Sequence, residues 1–127
     1  MDSSNDEGFG LVEIVVSMLM LAVLALGLLP LLIQGVKQAA SNATMATATQ
    51  LVDGALDTAG RTTTCSLLTT GSTTTSDSRG IALTLVKTRG TCPTTFPNTV
   101  AYSVTVTRND TGATVASAKT LIYVTAS

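Results

Sequence analysis

Two kinds of side chain in this sequence can do chemistry. Glu13 is a lone carboxylate standing immediately before a long apolar run. A charge costs about 2.5 to 3.5 kcal/mol at a bilayer centre and less near an edge, so it persists in such a place with a partner or a function. Cys65 and Cys92 are the only cysteines. Joined as a disulfide they would close a loop worth roughly 3 to 4 kcal/mol in the chain-entropy model; two buried thiols in a reducing compartment are the alternative. Histidine is absent, which removes the usual general base, the commonest zinc nitrogen ligand and every Ser/His or Cys/His nucleophile pair. No enzyme activity, cofactor or metal is expected. The formal charge of −1 lacks the basic excess of a dedicated nucleic-acid binder, and no direct nucleic-acid partner is expected.

These groups must be positioned by very few elements, since 127 residues allow one small domain and one extra element. Apolar residues make up 45% of the chain but aromatics only 3%, so the hydrophobicity is concentrated rather than spread through an aromatic core. From Ile14 to Ile33 only Ser17 has a polar side chain and none is charged. As a helix this segment is ~30 Å long, the thickness of a bilayer's hydrocarbon core. A cleavable secretory signal would open with a basic region, and the first eight residues contain neither Lys nor Arg. No proline interrupts Gln34 to Ala59, a stretch rich in alanine, so the helix is expected to run from about Phe9 to Ala59. Met45, Ala48, Val52 and Leu56, with Leu51, Ala55 and Ala59 beside them, recur at helical spacing and form a stripe that can hold a sheet. Gly60 is the expected stop, in the left-handed conformation that glycine accepts.

Beyond the helix, Arg61 to Arg79 is rich in Thr, Ser and Gly without helical period and reads as an exposed loop. The period then changes to two. Ile81, Leu83 and Leu85 alternate with Ala82 and Thr84, and Val100, Tyr102, Val104 and Val106 alternate with small or polar residues, giving two half-buried strands. Asn109 to Gly112 carries turn chemistry leading into a third strand from about Thr114 to Thr125, so the last two strands form a hairpin. The fold class is α+β, a long N-terminal helix packed on a three- or four-stranded antiparallel sheet. A part of this size is marginal with a lone core, which favours a staple between Cys65 and Cys92.

The stretch Glu7-Gly8-Phe9-Gly10-Leu11-Val12-Glu13-Ile14-Val15-Val16 resembles the N-terminus of type IV prepilins and of the pseudopilins of type II secretion and DNA-uptake machines. Their pattern is a short polar leader ending in glycine, an aromatic residue, a glutamate at the fifth mature position and an apolar run, often with a proline where Pro30 stands. The resemblance implies cleavage between Gly8 and Phe9 by a membrane-embedded prepilin peptidase and N-methylation of Phe9. It also implies subunit assembly through Phe9 and Glu13, the carboxylate pairing with the liberated amine of Phe9 on a neighbouring subunit or in its own N-terminus. Gly10 departs from the pattern, which more often has Thr or Ser there. Pro30 lacks an amide proton for the carbonyl of Leu26, and with Gly27 one turn away this is the expected site of a helix kink.

The organisation that follows is a leader at 1–8, a transmembrane or filament-core helix at 9–33, its amphipathic continuation at 34–60, and a small extracytoplasmic β domain at 61–127. The expected function is that of a structural subunit, a minor component by its size, in a type IV pilus or pseudopilus. Its partners would be the peptidase, other pilin subunits, the inner-membrane assembly platform and, before assembly, membrane lipid. The chain would begin as a single-pass cytoplasmic-membrane protein and end in an extracellular or periplasmic filament. The alternative is a single-pass membrane-anchored extracellular binding module, in which Glu13 only marks the interface. Asn42-Ala-Thr44 and Asn109-Asp-Thr111 fit the N-glycosylation pattern but are better explained by a helical surface and a turn. Arg79, Lys87, Arg89, Arg108 and Lys119 would form a basic patch if the strands gathered them, with a solvated sheet face as the plainer expectation.

Overall fold

The computed structural model describes residues 10–127. Helix α1 runs over Leu11–Gly60 and is followed by a 3₁₀ turn at Cys65–Leu67 and strands β1 (Gly71–Ser76), β2 (Ala82–Arg89), β3 (Asn98–Arg108) and β4 (Thr114–Val124). The four strands form one antiparallel meander in the order β1-β2-β3-β4. The chain divides into two compact units, one ending at Ala39 and the other spanning Ala40–Ser127.

In the second unit the period-two pattern decides which side chains are buried. Val100, Tyr102, Val104 and Val106 of β3 are all buried, joined by Leu83 and Leu85 of β2 and by Ile122 and Val124 of β4. Each such side chain contributes roughly 1.5 to 3 kcal/mol when fully buried. The helix supplies Ala48, Val52 and Ala59, with Leu51, Ala55 and Leu56 at the margin. Met45 is not part of this stripe. It is 51% exposed, and the buried position one residue earlier is taken by Thr44, for which the sheet side provides a polar partner. Tyr102 reaches across the core so that its hydroxyl donates to the Thr69 carbonyl at 2.8 Å, which meets the need of a buried phenol for a partner.

Three expectations change. Arg61 to Arg79 is not a loop throughout: it contains the 3₁₀ turn and β1, whose Gly-Ser-Thr-Thr-Thr-Ser run pairs with β2 from Gly71↔Lys87 to Ser76↔Ala82. No alternation announced it because an edge strand with almost every residue exposed needs no apolar face; β-branched threonines and the ladder suffice. Second, Gly60 ends α1 without entering the left-handed region, which among the described glycines is occupied by Gly71, Gly80 and Gly112. The helix stops instead by tightening, with the Thr62 amide donating to the Ala59 carbonyl at 3.0 Å. Third, β2 runs past Leu85 to Arg89, carrying two cations into the sheet.

The Cys65–Cys92 disulfide is present, with a Cα–Cα distance of 5.9 Å. It ties the 3₁₀ turn to the segment after β2. The same turn is bound to the far end of the sheet, the Cys65 amide donating to the Ala126 carbonyl at 2.9 Å and the Thr125 amide to the Thr63 carbonyl at 2.8 Å.

Candidate functional site

The N-terminal site is built at the first turn of α1. Gly10 is the residue before the helix, and the Glu13 amide donates back to its carbonyl at 2.9 Å. The Glu13 carboxylate in turn accepts from the Gly10 amide at 3.3 Å. This is half of a capping box, in which the third helical residue satisfies the amide of the cap. The other half needs a hydroxyl at the cap, which Gly10 lacks. Thr or Ser there would complete the box, so the departure at Gly10 has a local meaning: glycine still serves as a cap, a few tenths of a kcal/mol weaker. The carboxylate also lies where the partial positive charge of the helix terminus favours it. Gly8 and Phe9, the expected cleavage and methylation positions, lie outside the described residues.

Behind Glu13 the helix presents apolar side chains without cover. Leu11, Val12, Ile14 and the large apolar residues that follow through Ile33 are all exposed. α1 is long and apolar enough to cross a membrane, and none of its most apolar window is buried. An area of this size needs a partner other than water. The helix is assigned without a break through Gly27 and Pro30, although the ring at Pro30 leaves the Leu26 carbonyl without its usual donor.

The family described as the prokaryotic N-terminal methylation motif matches residues 3–29, a stretch that holds Gly8, Phe9, Glu13 and most of the apolar run. This is a type IV prepilin-like N-terminus. No curated protein and no solved structure matches the chain. The motif, the exposed apolar helix and the α+β arrangement together fit a pilin-like subunit with a single-pass anchor in the inner membrane.

A second constellation lies in the Ala40–Ser127 unit, and the sequence did not announce it. Asp77, in the turn between β1 and β2, has a side chain only 1% exposed. One of its oxygens accepts from the amides of Arg79 at 2.8 Å and Ile81 at 2.9 Å. The other accepts from the Thr44 hydroxyl of α1 at 2.8 Å. The Arg79 guanidinium closes the cluster, donating to Thr44 Oγ1 and standing 3.7 Å from the carboxylate. Thr44 and Asp77 are far apart in the chain, so only an Asx-type turn at Asp77 was legible in principle. Its consequence is a buried polar tie between the helix, at its first buried residue, and the tip of the β1–β2 hairpin.

Burial pushes the Asp77 carboxyl toward a higher pKa, but the Ile81 amide, the Thr44 hydroxyl, the Arg79 amide and the Arg79 charge outweigh it, and the net shift is downward from 3.8. A group whose folded pKa is depressed contributes stability that is fully present above its unfolded pKa and lost as pH falls through the folded one. The protein is therefore expected to lose stability below about pH 4. Asp77→Asn is expected to be less stable at pH 7 and to show a flatter decline between about pH 5 and pH 2. Urea midpoints measured across that range check this; parallel curves for the two proteins would remove Asp77 from the acid response.

The five cations considered as one patch are sorted by the structure into four places. Arg79 is held by Asp77, and Arg108 by Asp110 at 2.6 Å, where the guanidinium draws the Asp110 carboxyl below its ordinary range. Lys119 stands in register with Ser103 and so with Thr88 on the sheet face away from the core. Lys87 and Arg89 are in register with the buried Val104 and Tyr102 on the other face. Asn109 sits in the β3–β4 turn, its side-chain oxygen accepting from the Thr84 hydroxyl at 2.6 Å, and Thr44 is occupied by Asp77.

Proposed function

We propose that this chain is a structural subunit that assembles into a type IV pilus or pseudopilus through its N-terminal helix. The methylation motif over residues 3–29 carries the reading. It coincides with a helix whose apolar side chains find no cover within the subunit. In this reading a prepilin peptidase cleaves between Gly8 and Phe9 and the new amine of Phe9 is methylated. The helix is held by membrane lipid until the assembly platform passes the subunit to other pilins in the filament. Residues 9–33 then form the core, 34–60 carry the helix onto the sheet, and 61–127 remain outside the membrane as the β domain.

Glu13 has a specific task in this scheme. In the single subunit its carboxylate caps its own helix, a weak exposed contact that a stronger donor can displace. The charged amine of a neighbouring Phe9, brought up as apolar helices pack, is such a donor, since opposite charges attract far more strongly at low dielectric. Part of that gain repays desolvation, so the pair serves register more than net stability. At Gly27 and Pro30 the helix is weakest, and we assign to this point the bend or unwinding that lets subunits fit the filament, where freed carbonyls need not face lipid.

Intact-mass measurement on membranes from cells with and without the peptidase tests the reading. The protein is expected to lose residues 1–8 and to gain one methyl group at Phe9 only when the peptidase is present. A chain recovered from filaments with residues 1–8 attached would overturn it.

A further inference from the structure

We propose that the corner of the sheet where β1 stops and β2 continues is a binding site for an acidic glycan, a saccharide chain bearing carboxylate or sulfate groups. The pairing of β1 with β2 ends at Gly71↔Lys87, whereas β2 goes on pairing with β3 through Arg89. The notch so formed is an open cavity of about 720 Å³ lined by Lys87 and Arg89, by the hydroxyl residues Thr70, Ser72, Thr88 and Thr91, and by Cys92. That volume is within the range of small-ligand sites, and leaves room for more than one sugar ring.

Three features of the lining point to this ligand class. The first is uncompensated charge. The ion pairs among the described residues join Arg61 to Asp57, Arg79 to Asp77 and Arg108 to Asp110, and none includes Lys87 or Arg89. The lining contains no carboxylate, so the notch favours an anion, and a guanidinium's fork of donors suits a carboxylate or sulfate. The second is the set of hydroxyls at Thr70, Ser72 and Thr91, which both donate and accept and so match sugar hydroxyls of either sense; the Thr88 hydroxyl is taken up by Ser103. The third concerns nucleic acid: no aromatic side chain lines the notch, so bases have nothing to stack on.

The walls are also held in place before any ligand arrives, which lowers the cost of binding. Arg89 Nη1 donates to the Cys65 carbonyl at 2.6 Å, and Cys65 is joined by its disulfide to Cys92 on the notch wall. Gly71 adopts φ 126°, a conformation that L side chains rarely adopt. The Gly90 amide donates to the Ala101 carbonyl at 2.7 Å, and a Cβ at Gly90 would stand only 3.4 Å from that oxygen.

The test is binding of four probes to the full chain in neutral-detergent micelles by calorimetry: a galacturonate hexamer, a sulfated hexasaccharide, a neutral maltohexaose and a single-stranded hexanucleotide. Either acidic glycan is expected to bind with an affinity that falls as salt rises, and more tightly than the other two probes. Lys87→Gln is expected to weaken that binding about tenfold or more, and Lys119→Gln, which removes the same charge from the opposite face, by less than about twofold. Lys87 makes no side-chain hydrogen bond among the described residues, so an unchanged melting temperature is expected to accompany the loss. Equal losses in the two variants, no binding of either acidic glycan, equal binding of maltohexaose, or tighter binding of the oligonucleotide would each overturn the proposal.

Discussion

Glu13→Ala is expected to abolish incorporation into filaments while leaving insertion in the membrane unchanged. The two outcomes separate because the apolar surface from Leu11 to Ile33, which holds the helix in lipid, does not involve the carboxylate. Removing one partner of a buried ion pair costs about 3 to 5 kcal/mol because the other charge is left uncompensated. In an association constant that is roughly a hundredfold to a few thousandfold. Alanine also removes the contact from the Glu13 carboxylate to the Gly10 amide, and a second variant isolates the charge. Glu13→Gln keeps an acceptor suited to a capping box but has no charge to offer an amine. If pairing is what matters, both variants remain in the membrane fraction and neither appears in sheared filaments. Wild-type filament yield from Glu13→Gln would reduce Glu13 to a cap and favour a plain membrane-anchored binding module.

Breaking the disulfide is expected to have the largest effect on the stability of the Ala40–Ser127 unit. Closing the loop between Cys65 and Cys92, a sequence separation of 27, is worth roughly 3 to 4 kcal/mol. A unit this small has little reserve, as its buried core draws on only a few large side chains beyond Tyr102, Leu83 and the β3 valines. The bridge also fastens the 3₁₀ turn that the Ala126 carbonyl and the Arg89 guanidinium both contact. The double variant Cys65→Ala/Cys92→Ala is expected to melt at least about 12 °C lower than the oxidised protein, by the usual scaling for small domains. Thermal unfolding followed by circular dichroism, with and without reductant, measures this. A shift of under about 2 °C would show that the turn is held by its hydrogen bonds alone.

Much of the architecture was legible because it is local. The apolar run from Ile14 to Ile33 and the alternation at Leu83, Leu85, Val100, Tyr102, Val104 and Val106 are patterns within single elements, and the structure buries or exposes them as their periods require. β1 was hidden because its residues carry no burial signal; it exists through pairing with β2, and its Thr74 hydroxyl shares a hydrogen bond with Thr84 at 3.1 Å. The helical stripe was misplaced at one position for a related reason. Met45 is the better apolar candidate by composition, but Asp77 and Arg79 offer polar partners only to the side chain at Thr44.

The sequence by itself determined the N-terminal motif and the apolar helix, because Gly8, Phe9, Glu13 and the apolar run lie in order along one short stretch and are legible without a folded domain. Tertiary structure alone decided which charges are paired with one another among the described residues. Asp77 and Asp110 neutralise Arg79 and Arg108, and the strand register sends Lys87 and Arg89 to one face and Lys119 to the other. A charge is cancelled by what lies within a few ångströms of it in space, and for these residues that neighbourhood is set by sheet register and by where the turns end.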